Sequence, residues 1–474
     1  MFDWRSGMGL LSGLKKVSGG YPGGWRKWAT GKEGAGRAEP FVQPTNPDDR
    51  RSQVPPLGLR EYWYPAIPAK DVGTKKPVAL KMLGERIVLF KDKHNEVQAL
   101  WDVCPHRGVF LSWGDCVWKG YLSCPYHGAT FDGDGECVEF ITEGPDSKMV
   151  GQLKARKFPT RTLKGIVFVW MGEGEPVPIE EDVPPEFFEG KETLIEYTIR
   201  YWDCNWMIAL ENQSDAHNCF WVHRNSFVQL RSRTGGRPRT PLGYRPKVVN
   251  GKAVVPMRGA EGYYADKTTG KVPYQMHYPR TGGVWPLHRY RLLWTWFFEF
   301  FDRRNRNRPR FQTPEEWQGM HLPGMHRLYF GGPEAMYTRW CVPVEKDLTR
   351  VVYFRSMRLK TAKGRLWERL SYVLYRNYLF HYNFSDQDYD AMRSTMYQYP
   401  EYLSATDSHV VAQRKLIVEH GRGLKANVAV GDMTTAEKLV ADFNKQIEGE
   451  RGAIPVRPFG PSSGSANLSG PTGR

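Results

Sequence analysis

The chain has 474 residues, 40% of them hydrophobic, which is more than one hydrophobic core usually accommodates, so we expect two or more cores. Its formal net charge of +16 is scattered rather than gathered in a nucleic-acid-binding motif. This argues against a nucleic-acid partner and favours an electropositive docking surface. Seven cysteines, an odd number, argue against a disulfide framework and favour a reducing compartment.

No signal-peptide pattern stands near the first residue, and the longest apolar run, 292–301, is about half a membrane span. That run contains Glu299 and is expected to be a buried or interfacial element. Together with the cysteine usage, these features predict a soluble cytoplasmic protein.

The first two segments differ in composition and in the pattern of their apolar residues. Residues 1–56 are rich in Gly, Trp and basic side chains without apolar periodicity, which predicts a loosely ordered arm, or alternatively one that contacts a subunit or membrane. Residues 57–176 contain short alternating runs, such as 85–90 and 95–101, separated by Gly, Pro and Asp. They predict a small all-β domain.

The remainder predicts a larger α+β domain over residues 177–430. It begins with a proline-rich linker at 177–187 and includes long helical stretches near 203–223 and 364–399. Residues 431–474 predict a C-terminal helix and a disordered Ser/Gly/Pro tail.

The strongest motif lies in the predicted β-domain, where two Pro/Gly-bounded loops each contain one cysteine and one histidine: Cys104 with His106, and Cys124 with His127. A Cys₂His₂ set can hold zinc, but zinc sites usually group Cys with Cys and His with His. One Cys and one His per loop suits a [2Fe–2S] cluster, with one iron on the two cysteines and the other on the two histidines.

The segment CPHRG…CPYHGATFDGDGECV resembles the Rieske domain of the Rieske non-haem iron oxygenases, strongly over residues 60–175 and more weakly to 420. The resemblance implies an N-terminal all-β Rieske [2Fe–2S] domain followed by a larger α+β catalytic domain with an antiparallel, helix-grip-like sheet. Respiratory-chain Rieske proteins carry a further cysteine in each loop. Cys116 and Cys137 lie outside the loops and are expected to be packing residues.

A second segment, ENQSDAHNCFWVH at 211–223, is dense in polar side chains that can bind metal. The same family carries Asn-Trp, Glu/Asp-Asn, Asp-x-x-His and a further His in this order, which implies a mononuclear Fe(II) held by two histidines and a carboxylate. The alternative is a buried helix whose histidines are only hydrogen-bonded. The matching residues are Asn205, Trp206, Glu211, Asn212, Asp215, His217 and His223.

The match departs from the family pattern because His217 follows Asp215 by two positions instead of three, and five residues instead of four separate it from His223. Asn218 stands where the family has its first histidine. Positions two apart in a helix differ by about 200°. Either a local bulge turns His217 toward the iron, or Asn218 is a weak ligand; we favour His217, since histidine is the better Fe(II) ligand.

The third ligand is expected from the acidic segment 383–396, where Asp386, Asp388 and Asp390 compete. The pairing of Gln387 with Asp388 and its offset to the following helix favour Asp388, then Asp386, and the alternative is a solvated acidic helix start. The family resemblance also implies that Asp215 bridges an iron-ligand histidine and the second Rieske histidine, here His127, of a neighbouring subunit in a homotrimer. Such a carboxylate would fix both imidazole tautomers.

The resemblance implies the terminal oxygenase component of a Rieske system. Such a component passes electrons from the cluster to Fe(II), which activates O₂ to hydroxylate, dihydroxylate or O-dealkylate an aromatic or polycyclic apolar substrate. The sequence has no convincing nucleotide fingerprint, so electrons are expected from a separate ferredoxin or NAD(P)H-dependent reductase. Such electron carriers are typically acidic, and the positive charge of this chain would attract them. The alternatives are an electron-transfer protein with a degenerate iron site, and a scaffold or zinc-bound binding protein.

Overall fold

A computed structural model of the chain describes residues 53–214, 222–225, 244–256, 297, 300–301, 309–330, 333–397, 401, 403 and 407–424. Residues 1–52 of the predicted arm (1–56) and the segment 431–474 lie outside these residues.

The N-terminal part consists of three small antiparallel sheets, with strand orders β1-β10-β9, β2-β3-β4-β8 and β5-β6-β7. The predicted runs at 85–90 and 95–101 correspond to β3 and β4, so the alternating patterns were read correctly as strands. The strands are β1 (Trp63–Pro68), β2 (Val78–Met82), β3 (Glu85–Lys91), β4 (Val97–Trp101), β5 (Leu122–Ser123), β6 (Ala129–Phe131), β7 (Cys137–Phe140), β8 (Lys157–Phe158), β9 (Thr160–Leu163) and β10 (Ile166–Trp170).

The second part is built on one seven-stranded antiparallel sheet with the order β11-β17-β16-β15-β14-β13-β12. Its long central pairs bury almost every residue of β16 and β17. This agrees with the predicted α+β class. The strands are β11 (Thr193–Trp202), β12 (Lys247–Val249), β13 (Lys252–Val255), β14 (Gly319–His321), β15 (Met325–Leu328), β16 (Met336–Glu345) and β17 (Leu348–Arg358).

Four α-helices accompany this sheet within the described residues: α1 (Trp206–Ser214), α2 (Ala362–Ser371), α3 (Ser385–Met392) and α4 (Ser408–His420). Asn205 caps α1, because its side-chain oxygen accepts from the N–H of Met207 at 3.0 Å. None of the helices in the described ranges is long and apolar enough to cross a bilayer.

The stretch predicted as one long helix near 364–399 is a composite. Two π-helical segments, Tyr372–Arg376 and Tyr378–Phe384, separate α2 from α3, and α3 ends at Met392. A π-turn accommodates one extra residue per turn, and such turns are frequent at functional sites. The apolar pattern over 364–399 predicted helix but did not distinguish π-helical from α-helical turns.

The proline-rich segment 177–187 is partly buried. Its prolines begin short 3₁₀ turns at Ile179–Glu181 and Pro185–Phe187, and the carboxylate between them, Asp182, is buried. Asp182 accepts from the N–H of Trp63 at 3.0 Å and from Arg422 at 2.6 Å. A proline-rich composition indicated the turns, but the long-range partners that bury the segment cannot be read locally.

Two buried histidines on neighbouring strands make the stability depend on pH. Burial lowers the pKa of His321 on β14 well below its ordinary value, and lowers the pKa of His326 on β15 to about 3. Cationic neighbours, Lys252 and Arg327 beside His321 and Arg339 beside His326, act in the same direction. Both imidazoles are therefore neutral in the folded protein.

We predict that these histidines destabilise the fold as the pH falls below about 6.5, the ordinary histidine pKa, because the unfolded chain then binds protons that the folded chain does not. Above that pH the two histidines do not change the free energy of unfolding. At pH 5 they lower it by about 4 kcal/mol together, at about 1.4 kcal/mol per pH unit for each group. Urea unfolding at pH 7 and pH 5 measures the loss. The double variant His321→Gln/His326→Gln should lose less stability over the same interval, and an equal loss would contradict the assignment.

Candidate metal centres

The two Cys/His loops share one backbone geometry. Each cysteine N–H, of Cys104 and of Cys124, donates to the carbonyl five residues later at 2.8 Å. Each loop's glycine donates back to the cysteine carbonyl, at 2.9 Å from Gly108 and 3.2 Å from Gly128. Both glycines have positive φ, +75° and +72°. This left-handed turn reverses each loop, so that the tips of both loops lie together.

The four candidate ligands lie at the meeting point of the loops as two like pairs. The Cys104 and Cys124 side chains are buried and hydrogen-bonded to each other. The Nδ1 atoms of His106 and His127 are 3.1 Å apart. The loops therefore place thiol beside thiol and imidazole beside imidazole, although each loop supplies one of each.

The two thiols differ in pKa. The hydrogen bond between them is the largest effect: with burial it raises the pKa of Cys104, and it lowers the pKa of Cys124 to about 6. Backbone N–H groups of residues 106 and 107 point to the sulfur of Cys104, and those of 126 and 127 to the sulfur of Cys124, and they lower the pKa of each thiol. N–H groups directed at sulfur are the usual surroundings of an iron–sulfur cluster, so the donor set fits one.

Cys116 and Cys137 are packing residues, as expected. Both are buried in the small apolar core beneath the loops, together with Leu122 and Phe131. The six cysteines within the described residues are all free thiols.

A second polar site is formed by His223 and the start of α3. His223 lies on a 3₁₀ turn (Val222–Asn225), is 1% exposed, and has its Nε2 3.1 Å from Asp388 Oδ1. Its Nδ1 is 3.2 Å from Gln387 Oε1, and its ring stacks on Phe384 with the centroids 3.5 Å apart. Histidine and carboxylate from segments 165 positions apart thus meet in the interior.

Helix α1 supplies the next contacts. Asn212 Nδ2 donates to Asp388 Oδ1 at 3.2 Å, and Asn212 Oδ1 accepts from Arg339 Nη1 at 3.1 Å. The neighbouring carboxylate, Glu211, is held by two hydrogen bonds from Arg414 at 2.7 and 3.0 Å. The amide of Asn212 therefore orients the Asp388 carboxylate, while Glu211 is paired elsewhere.

The three competing aspartates have different partners. Asp386 forms an ion pair with Arg200, and Asp390 pairs with Arg393 at 3.0 Å. Burial raises the pKa of the Asp386 carboxyl, and Arg200 opposes that rise. Asp388 is the one of the three that contacts His223.

Asp215, His217 and Asn218 lie outside the described residues. Within the described ranges, no three His, Cys, Asp or Glu side chains converge on one point, so the second site is described as a pair. The contributions of Gln387, Arg339 and Arg200 were not predicted. Gln387 stood in the quoted acidic segment, but the two arginines occur in strands whose sequence carries no sign of a site.

The chain matches two family profiles that together cover most of it. A profile of the Rieske [2Fe–2S] domain matches residues 62–159, and one described as homotrimeric ring hydroxylase matches 170–425. The chain belongs to this ring hydroxylase family. Its cofactors are those of the family, a [2Fe–2S] cluster and a mononuclear Fe(II), as the resemblance implied.

Individual relatives agree with this. The terminal oxygenase component of carbazole 1,9a-dioxygenase from Sphingomonas sp. is 38% identical over 192 residues, 40% of this chain and 49% of the relative. The oxygenase subunit of 5,5'-dehydrodivanillate O-demethylase from Sphingobium sp. is 32% identical over 185 residues, 38% of this chain and 43% of the relative. The chain spans about half the length of the curated relatives it matches.

Solved structures match over more of the chain. The terminal oxygenase of carbazole 1,9a-dioxygenase from Nocardioides aromaticivorans has a TM-score of 0.62 at 23% identity, covering 78% of this chain and 97% of that one. A carbazole-bound oxygenase–ferredoxin complex of carbazole 1,9a-dioxygenase has a TM-score of 0.61 at 23% identity, covering 81% and 94%. These similarities support the predicted fold, an all-β Rieske domain followed by a larger α+β domain.

The two loop glycines allow a matched test of the cluster loops. A Cβ at position 128 would lie 2.6 Å from the Cβ of Ile141, whereas a Cβ at position 108 would have nothing within 4 Å. We predict that Gly108→Ala costs about 1–2 kcal/mol for its left-handed backbone. Gly128→Ala should cost about 1–3 kcal/mol more, because Ile141 must move.

The measurement is the temperature at which the visible absorption of the cluster is lost. Gly128→Ala should lose it at a clearly lower temperature than Gly108→Ala. Equal temperatures would show that the contact with Ile141 does not constrain the second loop.

Proposed function

We propose that this protein is the terminal oxygenase component of a Rieske system. It would hydroxylate, dihydroxylate or O-dealkylate an aromatic or polycyclic apolar substrate. Family membership supports the class of reaction, and the presence of two candidate metal centres in one chain supports its chemistry. When bound, the mononuclear iron supplies the activation of O₂, with electrons from the [2Fe–2S] cluster.

The observation that carries the proposal is the contact between His223 Nε2 and Asp388 Oδ1 at 3.1 Å. We propose His223 and Asp388 as two iron ligands, with His217 as the third. Two histidines and one carboxylate on one side of an iron leave positions open for other ligands. The ion pair of Asp386 with Arg200 favours Asp388 over Asp386 for this role.

Side chains next to the proposed ligands would support them. Gln387 faces His223 Nδ1 and would fix the tautomer that leaves Nε2 free to bind metal. Asn212 would orient one oxygen of Asp388. Phe384 covers one face of the His223 ring and would exclude water from it.

We further propose that electrons cross between subunits of a homotrimer. The ring of His127 is half-buried, and Tyr126, which stacks on it at 3.8 Å, is 55% exposed. The cluster end of the Rieske domain therefore carries an exposed aromatic surface suited to docking. Asp215 would bridge His127 of a neighbouring subunit to an iron-ligand histidine.

A ferredoxin or an NAD(P)H-dependent reductase is the proposed electron donor. One matched structure is described as an oxygenase–ferredoxin complex. The net charge of +16 suits an acidic carrier, because opposite charge accelerates encounter. Free cysteines, including the two thiols of the candidate cluster site, agree with a cytoplasmic location, which we also propose.

An aromatic substrate agrees with the rings beside the candidate iron site. Phe330 lies 5.1 Å from both Phe380 and Phe384, centroid to centroid, and Phe384 stacks on His223. Such a wall would contact an apolar ring through its edges and faces. Within the predicted apolar run, Phe297 and Phe300 are exposed, so these two rings do not line an interior pocket.

The iron assignment is tested by His223→Ala and Asp388→Ala. Each should lose one iron per chain and retain the cluster absorption, because the remaining ligands bind Fe(II) weakly. Iron analysis should fall from about three to about two per chain. Asp390→Ala is the control, since its carboxylate pairs with Arg393, and it should keep its iron. A wild-type protein with two irons per chain would instead indicate an electron-transfer protein.

Asp215→Asn tests the electron path. We expect both metal centres to be retained and turnover to fall about 10- to 100-fold, because an amide cannot accept from both imidazole N–H groups. Reduction of the cluster by the donor, followed separately, should be unchanged. Turnover at the wild-type rate would show that Asp215 has no bridging role.

A further inference from the structure

The helical run that carries Asp388 changes its hydrogen-bonding pattern just before that residue. Tyr378–Phe384 is π-helical and α3 begins at Ser385. At the junction, the Ser385 N–H donates to the carbonyl of Phe380, five residues earlier, and Ser385 Oγ donates to the same carbonyl at 2.9 Å. Where bonding to the fifth preceding residue gives way to bonding to the fourth, the ladder passes over one carbonyl, which then needs another donor.

Arg200 reaches this junction from β11, the edge strand of the large sheet. Its Nη1 donates to the carbonyl of His381, the residue after Phe380, and its Nη2 forms an ion pair with Asp386. Its guanidinium carbon lies 4.8 Å from the ring centre of Tyr382. Arg200 is 5% exposed, so this cation is buried against three groups within six consecutive residues.

We propose that Arg200 is a positioning residue for the Asp388 carboxylate. Residues two apart in a helix point about 200° apart, so fixing Asp386 toward the sheet edge turns Asp388 toward α1 and His223. The bond to the His381 carbonyl fixes the position along the chain at which the α-helix resumes. The role rests on the proposed iron site, and Arg200 acts on the metal only through Asp388.

The chain offers a matched control in Arg355. This arginine is 3% exposed, lies on β17 and pairs with Glu368 of α2 at 3.1 Å. It therefore anchors the far end of the same helical run to the same sheet. Loss of either arginine should destabilise the fold, but only Arg200 contacts the junction next to Asp388.

The experiment compares Arg200→Met, Arg200→Lys and Arg355→Met in the full chain. A chelator removes the mononuclear iron, Fe(II) is titrated back to obtain its dissociation constant, and visible absorption counts the clusters. We expect Arg200→Met to weaken Fe(II) binding about 10- to 100-fold with a full complement of clusters. Arg200→Lys should recover part of the affinity, because its ammonium can pair with Asp386. Arg355→Met should unfold at a lower temperature and bind Fe(II) as the wild type does.

Unchanged iron affinity in Arg200→Met would overturn the proposal. So would an equal loss of affinity in Arg355→Met at a similar unfolding temperature, since the effect would then be general destabilisation. If Arg200→Met does not fold, the test uses Arg200→Lys and Asp386→Asn instead. Wild-type affinity for Fe(II) in both of these variants would overturn the proposal.

His223→Ala and Asp388→Ala distinguish failure of the proposed iron site from failure of the role of Arg200. If they too bind Fe(II) normally, the proposed iron site is wrong, and if they lose iron while Arg200→Met keeps it, only the role of Arg200 is wrong.

Discussion

The pairing of buried arginines with carboxylates and amides fixes the segments around the candidate iron site. Arg414 holds Glu211 on α1, Arg339 holds Asn212 one residue further on, and Arg200 holds Asp386 on α3. A guanidinium cannot lose its charge in the interior, so an unpaired arginine there would be strongly destabilising. Each pair therefore tolerates little displacement. In the proposed iron site, this rigidity would orient the Asp388 carboxylate toward His223.

The two candidate metal centres are organised in different ways. The cluster loops obtain their geometry locally, from a cysteine, a glycine with positive φ and two backbone hydrogen bonds repeated in each loop. The second site is assembled from α1, a short turn and a composite helix that meet only in the folded domain. This difference agrees with the proposed chemistry, because a cluster that only transfers electrons needs a fixed cage, whereas an iron that activates O₂ needs open positions beside a substrate.

The aromatic surroundings of the two centres suggest how they share the reaction. Tyr126 is exposed beside His127 in the Rieske domain. Phe384 stacks on the buried His223 of the second site, and Phe330 packs against Phe384. In the proposed oxygenase, a donor or a neighbouring subunit would deliver electrons at the exposed end, and they would be used at the buried site.

The amino-acid sequence by itself determined the cluster loops, the strands of the first domain and the order of the two domains. Each of these depends on spacing or alternation within a few residues, such as Cys104 with His106. The sequence also limited the candidates for the carboxylate ligand to three aspartates. It could not show which of them faces His223, because the partners Arg200 and His223 are far away in the chain. The tertiary structure decided the pairing of Asp388 with His223, the burial of Asp182 and the π-turns before α3. Long-range ion pairs and a one-residue change in helical register leave no local signal, since they depend on which surfaces meet once the sheet has formed.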